Sequence, residues 1–99
     1  MKQNRERILK LLQENHAAIK SYGVQRLGLF GSCARNEDRE TSDLDFIVEF
    51  EKKSFDAYMD LKAFLEDLFG CRVDLVIEGN IKPRLRSRIL AETIYAPGY

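Results

Sequence analysis

Apolar positions recur along this chain with two different periods, and each change of period marks a new element. Over residues 3–20, Ile8, Leu11, Leu12 and Ile19 fall on one side of a helix, and Ser21-Tyr22-Gly23 punctuates its end. Residues 25–30, QRLGLF, form a short apolar run that predicts a strand. Residues 43–50 alternate. Leu44, Phe46, Val48 and Phe50 share one face, and Asp43, Asp45, Ile47 and Glu49 share the other, the pattern of a strand buried on one side. The helical period returns over 55–69, with Ser54 placed as N-cap and Gly70 just past the end. Its buried stripe is Tyr58, Leu61, Leu65 and Leu68, with Phe55 above. Residues 72–77 alternate again, Val73, Leu75 and Ile77 against Arg72, Asp74 and Val76. Pro83 suits the first position of a last helix that turns Leu85, Ile89 and Leu90 inward, and the tail Pro97-Gly98-Tyr99 is expected to fray.

The order helix, strand, strand, helix, strand, helix predicts a small α+β domain, a short mixed sheet packed with helices. A length of 99 residues fits one domain over 1–99. Hydrophobic residues at 44% suffice for a small core and exclude disorder as the default. No apolar run approaches the roughly 20 residues of a membrane span, and MKQNRERILK lacks the apolar stretch of a signal peptide. Two cysteines, Cys33 and Cys71, make no disulfide framework, and with His16 as the single histidine a structural zinc site is excluded. These features predict a cytoplasmic protein without a membrane segment. The 16 Lys and Arg balance 16 Asp and Glu, which argues against direct nucleic-acid binding. The balance hides an uneven distribution. Residues 1–27 carry six bases against two acids, residues 36–60 nine acids against three bases, and residues 82–92 the bases Lys82, Arg84, Arg86 and Arg88 against Glu92.

The acidic middle contains the candidate chemistry, FGSCARNEDRETSDLDFIV from Phe30 to Val48. Asp43 and Asp45 lie two apart on a strand, so their carboxylates project side by side and repel unless a cation or a proton intervenes. Ligands that are all oxygen favour a hard cation such as Mg²⁺. Asp74 lies on the polar side of the third predicted strand. If that strand neighbours the second, three carboxylates converge in the manner of two-metal phosphoryl or nucleotidyl transfer. Gly31-Ser32 offers close backbone approach and a hydroxyl for an anion. If Ser32-Cys33-Ala34-Arg35 opens a short helix, its N-terminus would favour a triphosphate, with Arg35 adding charge.

Gly31-Ser32, ten residues, then Asp43-x-Asp45 resembles the signature of the polymerase-β-type nucleotidyltransferases. The fuller string GSCAR…SDLDFIV is similar to the minimal nucleotidyltransferases, the small antitoxin partners of HEPN-domain toxins. The resemblance extends over most of the chain, through Arg72-Val73-Asp74-Leu75-Val76 and Ile81-Lys82-Pro83-Arg84-x-Arg86. It departs at Asn36, where family members often have glycine. It implies a minimal nucleotidyltransferase core in which Asp43, Asp45 and Asp74 are catalytic and hold Mg²⁺, two ions in all. Gly31, Ser32, Arg35 and Ser42 would bind the nucleotide, ATP. It further implies adenylylation of a tyrosine on a HEPN RNase toxin, which that modification neutralises within a hetero-oligomer. Two alternatives stand beside it: an antitoxin that masks its partner without catalysis, and a nucleotidyltransferase acting on a small molecule.

Plainer roles compete at each position. Asp43 and Asp45 alone would read as a solvated strand end, Asp74 as an edge-strand surface acid, Gly31-Ser32 as a simple turn, and Arg35 as a surface ion pair. Glu37, Asp38 and Glu40 read as a solvated loop, Cys33 as a small buried residue, and His16 as a surface or interface histidine. Tyr22, Tyr95 and Tyr99 read as packing or interface residues. The basic positions 82–88 divide between a solvated face and a contact with partner or phosphates.

Overall fold

The computed structural model describes residues 4–35, 43–52, 54–97 and 99. The first helical stretch divides into α1 (Arg5–Glu14) and α2 (His16–Lys20). Asn4 caps α1, its side-chain oxygen accepting the Arg7 N–H at 2.8 Å. The break falls at Asn15, whose side-chain Nδ2 donates to the Leu11 carbonyl at 2.8 Å. A short amide there competes with the continuing backbone ladder, a local signal that the apolar period does not carry.

Strands β1 (Val24–Phe30) and β2 (Leu44–Phe50) pair antiparallel, Phe30 opposite Asp45 and Leu27 opposite Val48. Helix α3 (Phe55–Phe69) carries the chain to β3 (Val73–Ile77), which lies parallel to β2, since a parallel pair needs a crossover. Ser54 caps α3 by accepting the Ala57 N–H, and Gly70 ends it at φ +66°, as the spacing predicts. A single 3₁₀ turn, Glu78–Asn80, leads to α4 (Pro83–Glu92) and then to β4 (Ile94–Tyr95). The four-stranded mixed sheet has the order β3-β2-β1-β4. The architecture is the expected α+β type, with one strand and one 3₁₀ turn that periodicity did not reveal.

The core lies between α1–α3 and one face of the sheet. Ile8, Leu12, Ile19, Leu27, Leu29, Leu44, Phe46, Leu61 and Leu65 are all fully buried, and the Phe46 and Phe69 rings stack at 5.7 Å. Ile47, on the polar face of β2, is also buried. Gly28 lies opposite it on β1, and a Cβ at Gly28 would meet Thr93 at 2.5 Å, Tyr95 at 3.1 Å and Ile47 at 3.2 Å. The segment after α4 therefore covers this part of the sheet's second face, and the absent side chain of Gly28 gives it room.

Three packing expectations are corrected. Phe55 is 77% exposed and Leu85 41% exposed, and α4 buries no residue; Ile89 and Leu90 are half-buried. Tyr99 does not fray: its hydroxyl donates to the Leu12 carbonyl at 2.8 Å and its ring packs edge-on against His16 at 4.7 Å. Burial pushes its phenol up to about 12. No described helix is long and apolar enough to cross a membrane.

Candidate active site

The antiparallel register sets Phe30 beside Asp45, so the chain leaves β1 and turns directly over that carboxylate. Gly31 makes the turn at φ +80°, and a Cβ there would lie 2.2 Å from Asp45 Oδ2. The positive φ favours glycine, and a side chain there would push the Asp45 carboxylate out of its place. The Arg35 N–H then donates to the Gly31 carbonyl at 3.2 Å. Residues 32–35 form a turn and not the short helix considered above. Cys33 and Ala34 are buried beneath it, Ser32 is half-buried and Arg35 is exposed. The turn is braced from two distant elements. Arg5 of α1 donates to the Ala34 carbonyl at 3.0 Å. Glu92, in the last turn of α4, accepts the Gly31 N–H at 3.2 Å through Oε1 and Arg35 Nη1 at 2.9 Å through Oε2.

The parallel register of β2 and β3 brings Asp45 and Asp74 together as direct partners. Asp43, exposed, stands just ahead of β2. Asp45 is half-buried and its carboxyl is pushed up to about 6. Burial contributes most, then the neighbouring Asp74 and Asp43 carboxylates, with the Arg35 charge acting the other way. Asp43, Asp45 and Asp74 line one polar cleft of about 260 Å³ together with Lys62, Glu66, Arg72 and Val73. Asp45 thus stands between this cleft and the Gly31 turn.

Three oxygen donors whose charges oppose one another fit a divalent cation. Among the described residues no three carboxylate, histidine or cysteine side chains stand close enough together to hold a metal ion as they are placed. A larger cavity of about 510 Å³ is lined, among the described residues, by Ser54, Phe55, Tyr58, Leu75, Val76, Ile77 and Asn80, none of them a carboxylate or a cation. Ser42, Asn36, Glu37, Asp38 and Glu40 lie outside the described residues.

The site contains residues that the motif did not indicate. Lys62 comes from α3, where the helical period did not mark it, and Arg72 stands just ahead of β3, on the face that the alternation shared with Asp74 but without a role in the cleft. Glu92 shares no motif with Gly31, from which it is separated by 61 positions. Its only sequence signal is a lone acid at the end of the basic run 82–92. The basic side chains of α4 are exposed, and Arg86 is tied to Glu78 through that residue's carbonyl and carboxylate.

Residues 5–96 match the family model described as nucleotidyltransferase domain. The protein adenylyltransferase MntA of Thermococcus cleftensis is 40% identical over 75 residues, 75% of this chain and 76% of that protein. A solved structure described provisionally as a minimal nucleotidyltransferase superposes with a TM-score of 0.72 at 43% identity, covering 87% of this chain and 93% of the other. At 19% identity and a TM-score of 0.65, the fold is shared with a chain in the structure of tri-AMPylated Shewanella oneidensis HEPN toxin in complex with MNT antitoxin; the match covers 92% of this chain and 73% of that one.

Proposed function

The chain belongs to the nucleotidyltransferase domain family, and from that premise we propose that it is an antitoxin that transfers AMP from ATP, with Mg²⁺, to a tyrosine hydroxyl of a HEPN-domain toxin and thereby silences it. The observation that carries this reading is the pairing of Asp45 with Asp74 beneath the Gly31 turn, with Asp43 opening onto the same cleft. The relative named protein adenylyltransferase supports a protein acceptor, and the fold shared with a chain of the HEPN toxin–MNT antitoxin complex agrees with it.

Asp43, Asp45 and Asp74 would hold the metal, which when bound supplies positive charge to the phosphates and to the leaving group. Gly31, Ser32 and Arg35 bind and orient the triphosphate, and Ser42 joins them by resemblance. Asp74, the exposed member of the pair, takes up the proton of the acceptor hydroxyl. The acceptor oxygen bonds to the α-phosphorus as the bond to the β-phosphate oxygen breaks, and pyrophosphate leaves. Most of the acceleration comes from position and charge, since phosphoryl chemistry of this kind leaves the protein little covalent work. The acceptor comes with the partner.

Intact-mass spectrometry of the protein that co-purifies with this chain, before and after ATP and Mg²⁺, tests the reading. A gain of one or more AMP units on the partner, absent with Asp43→Asn, is the expected result. An unmodified partner that gains no mass, in a complex that still forms, would replace transfer with masking.

A further inference from the structure

Glu92 makes contacts that the reaction as proposed does not use. Its two carboxylate oxygens are separately engaged, Oε1 by the Gly31 N–H at 3.2 Å and Oε2 by Arg35 Nη1 at 2.9 Å. The Glu92 side chain is 24% exposed and that of Arg35 45%, so the bond from Gly31 is partly sheltered while the bond from Arg35 lies at the surface. Both partners belong to the turn assigned above to the triphosphate. The same turn packs against the catalytic carboxylate, with no room for a single carbon between Gly31 and Asp45.

The position of Glu92 is itself tightly fixed. The chain leaves α4 at Thr93, whose hydroxyl donates to the Ile89 carbonyl at 2.7 Å. It then enters β4, which pairs with β1 at Gly28↔Tyr95 and Leu29↔Ile94. The Ala96 N–H adds a bond to the Leu27 carbonyl at 2.8 Å. Thr93 rests so close over Gly28 that a methyl group there would collide with it. The last strand is therefore locked in register just beyond the residue that reaches back to the turn.

We infer that Glu92 is a positioning residue for nucleotide binding: it fixes the Gly31 turn over Asp45 and holds the Arg35 guanidinium aimed for the triphosphate. The inference rests on the nucleotidyltransferase reading of this site. It differs from a plug, in which Glu92 would occupy the phosphate donors and have to be expelled. A positioning role makes removal of Glu92 weaken nucleotide binding, and a plug makes removal tighten it.

The test is calorimetric titration of ATP with Mg²⁺ into the full chain and its variants, with thermal melting run alongside. Glu92→Ala should weaken ATP binding about tenfold, the scale of a lost charge-assisted bond pair. Glu92→Gln, which keeps one acceptor oxygen, should fall between the two. Arg35→Ala combined with Glu92→Ala should be worse than Arg35→Ala alone but less severe than the two single effects multiplied, because Glu92 acts partly through Arg35 and partly through the Gly31 turn. A merely structural role would lower the melting temperature without this intermediate rescue and without the non-additivity, and would overturn the inference. Unchanged or tighter ATP binding in Glu92→Ala and Glu92→Gln would overturn it as well. If Glu92→Ala does not fold, Glu92→Gln decides alone. Wild-type protein that binds no ATP would instead overturn the nucleotidyltransferase reading itself, and the inference with it.

Discussion

The sheet ends on two edge strands, and a carboxylate belongs to or stands beside each: Asp74 on β3 pairs with Asp45, and Glu92, just ahead of β4, reaches the turn at Gly31. β3 has five residues and runs parallel to β2; β4 has two and runs antiparallel to β1. From β3, Asp74 is exposed and faces its register partner Asp45 across the cleft. From just ahead of β4, Glu92 is half-buried and each of its oxygens accepts a bond from a protein donor. A carboxylate meant for a cation keeps its lone pairs available, whereas one that shapes the site gives them to the backbone and to arginine. The edges are also finished differently. The Leu44 N–H bonds the Arg72 carbonyl, so even-numbered residues of β3 face β2 and odd-numbered ones face outward. The outward Val73 N–H goes to Glu66 Oε2 at 3.0 Å and the outward Leu75 carbonyl to the Tyr58 hydroxyl at 2.6 Å. Side chains of α3 thus blunt that edge against further strand pairing.

The comparison breaks first at Asp45, which both edges serve. Asp45→Asn should reduce AMP transfer by about a thousandfold or more, the scale expected when a metal's charge stabilisation is lost, measured as labelled AMP on the co-purified partner. Gly31→Ala should lower transfer by about a hundredfold, because the new carbon collides with Asp45 and the backbone is held at positive φ. It should cost about 1–3 kcal/mol in denaturant unfolding as well. Gly28→Ala sharpens the contrast between the edges. Its methyl would meet Thr93 and lift β4, so transfer should fall about tenfold through weaker ATP binding, as for Glu92→Ala, and β3 should keep its contacts. Hydrogen exchange localised to 94–96 would check this.

A smaller effect concerns pH. The Asp45 carboxyl stands at about 6 in the folded protein against an ordinary 3.8. The folded state holds this proton more tightly than the unfolded one. The stability it contributes is complete below about pH 4 and is lost as pH rises through 6. Asp45→Asn should therefore melt higher than wild type at neutral pH without metal. The advantage should be on the order of 1 kcal/mol after allowance for solvent screening and should close towards pH 4. Equal melting curves at both pH values would remove the electrostatic account of Asp45. Smallest of all, Tyr58→Phe should cost about 1 kcal/mol by leaving the Leu75 carbonyl without its donor, with transfer unchanged.

What the sequence by itself determined is local or short in range. The alternation over 43–50, the caps Ser54 and Gly70, and Pro83 at the first turn of α4 placed the major elements, because strand period and helix capping are written within a few residues. The spacing of Gly31-Ser32 and Asp43-x-Asp45 indicated a candidate site for the same reason. Asn15 shows the limit of periodicity, since the apolar stripe continues across a helix break made by one side-chain amide. The tertiary structure alone decided which carboxylates meet. The register that pairs Asp45 with Asp74 depends on a crossover through α3, and β4 is too short for any period to reveal it. Glu92 lies 61 residues from Gly31 and 57 from Arg35, and only the docking of β4 on β1, over a glycine that leaves it room, brings them within hydrogen-bonding distance.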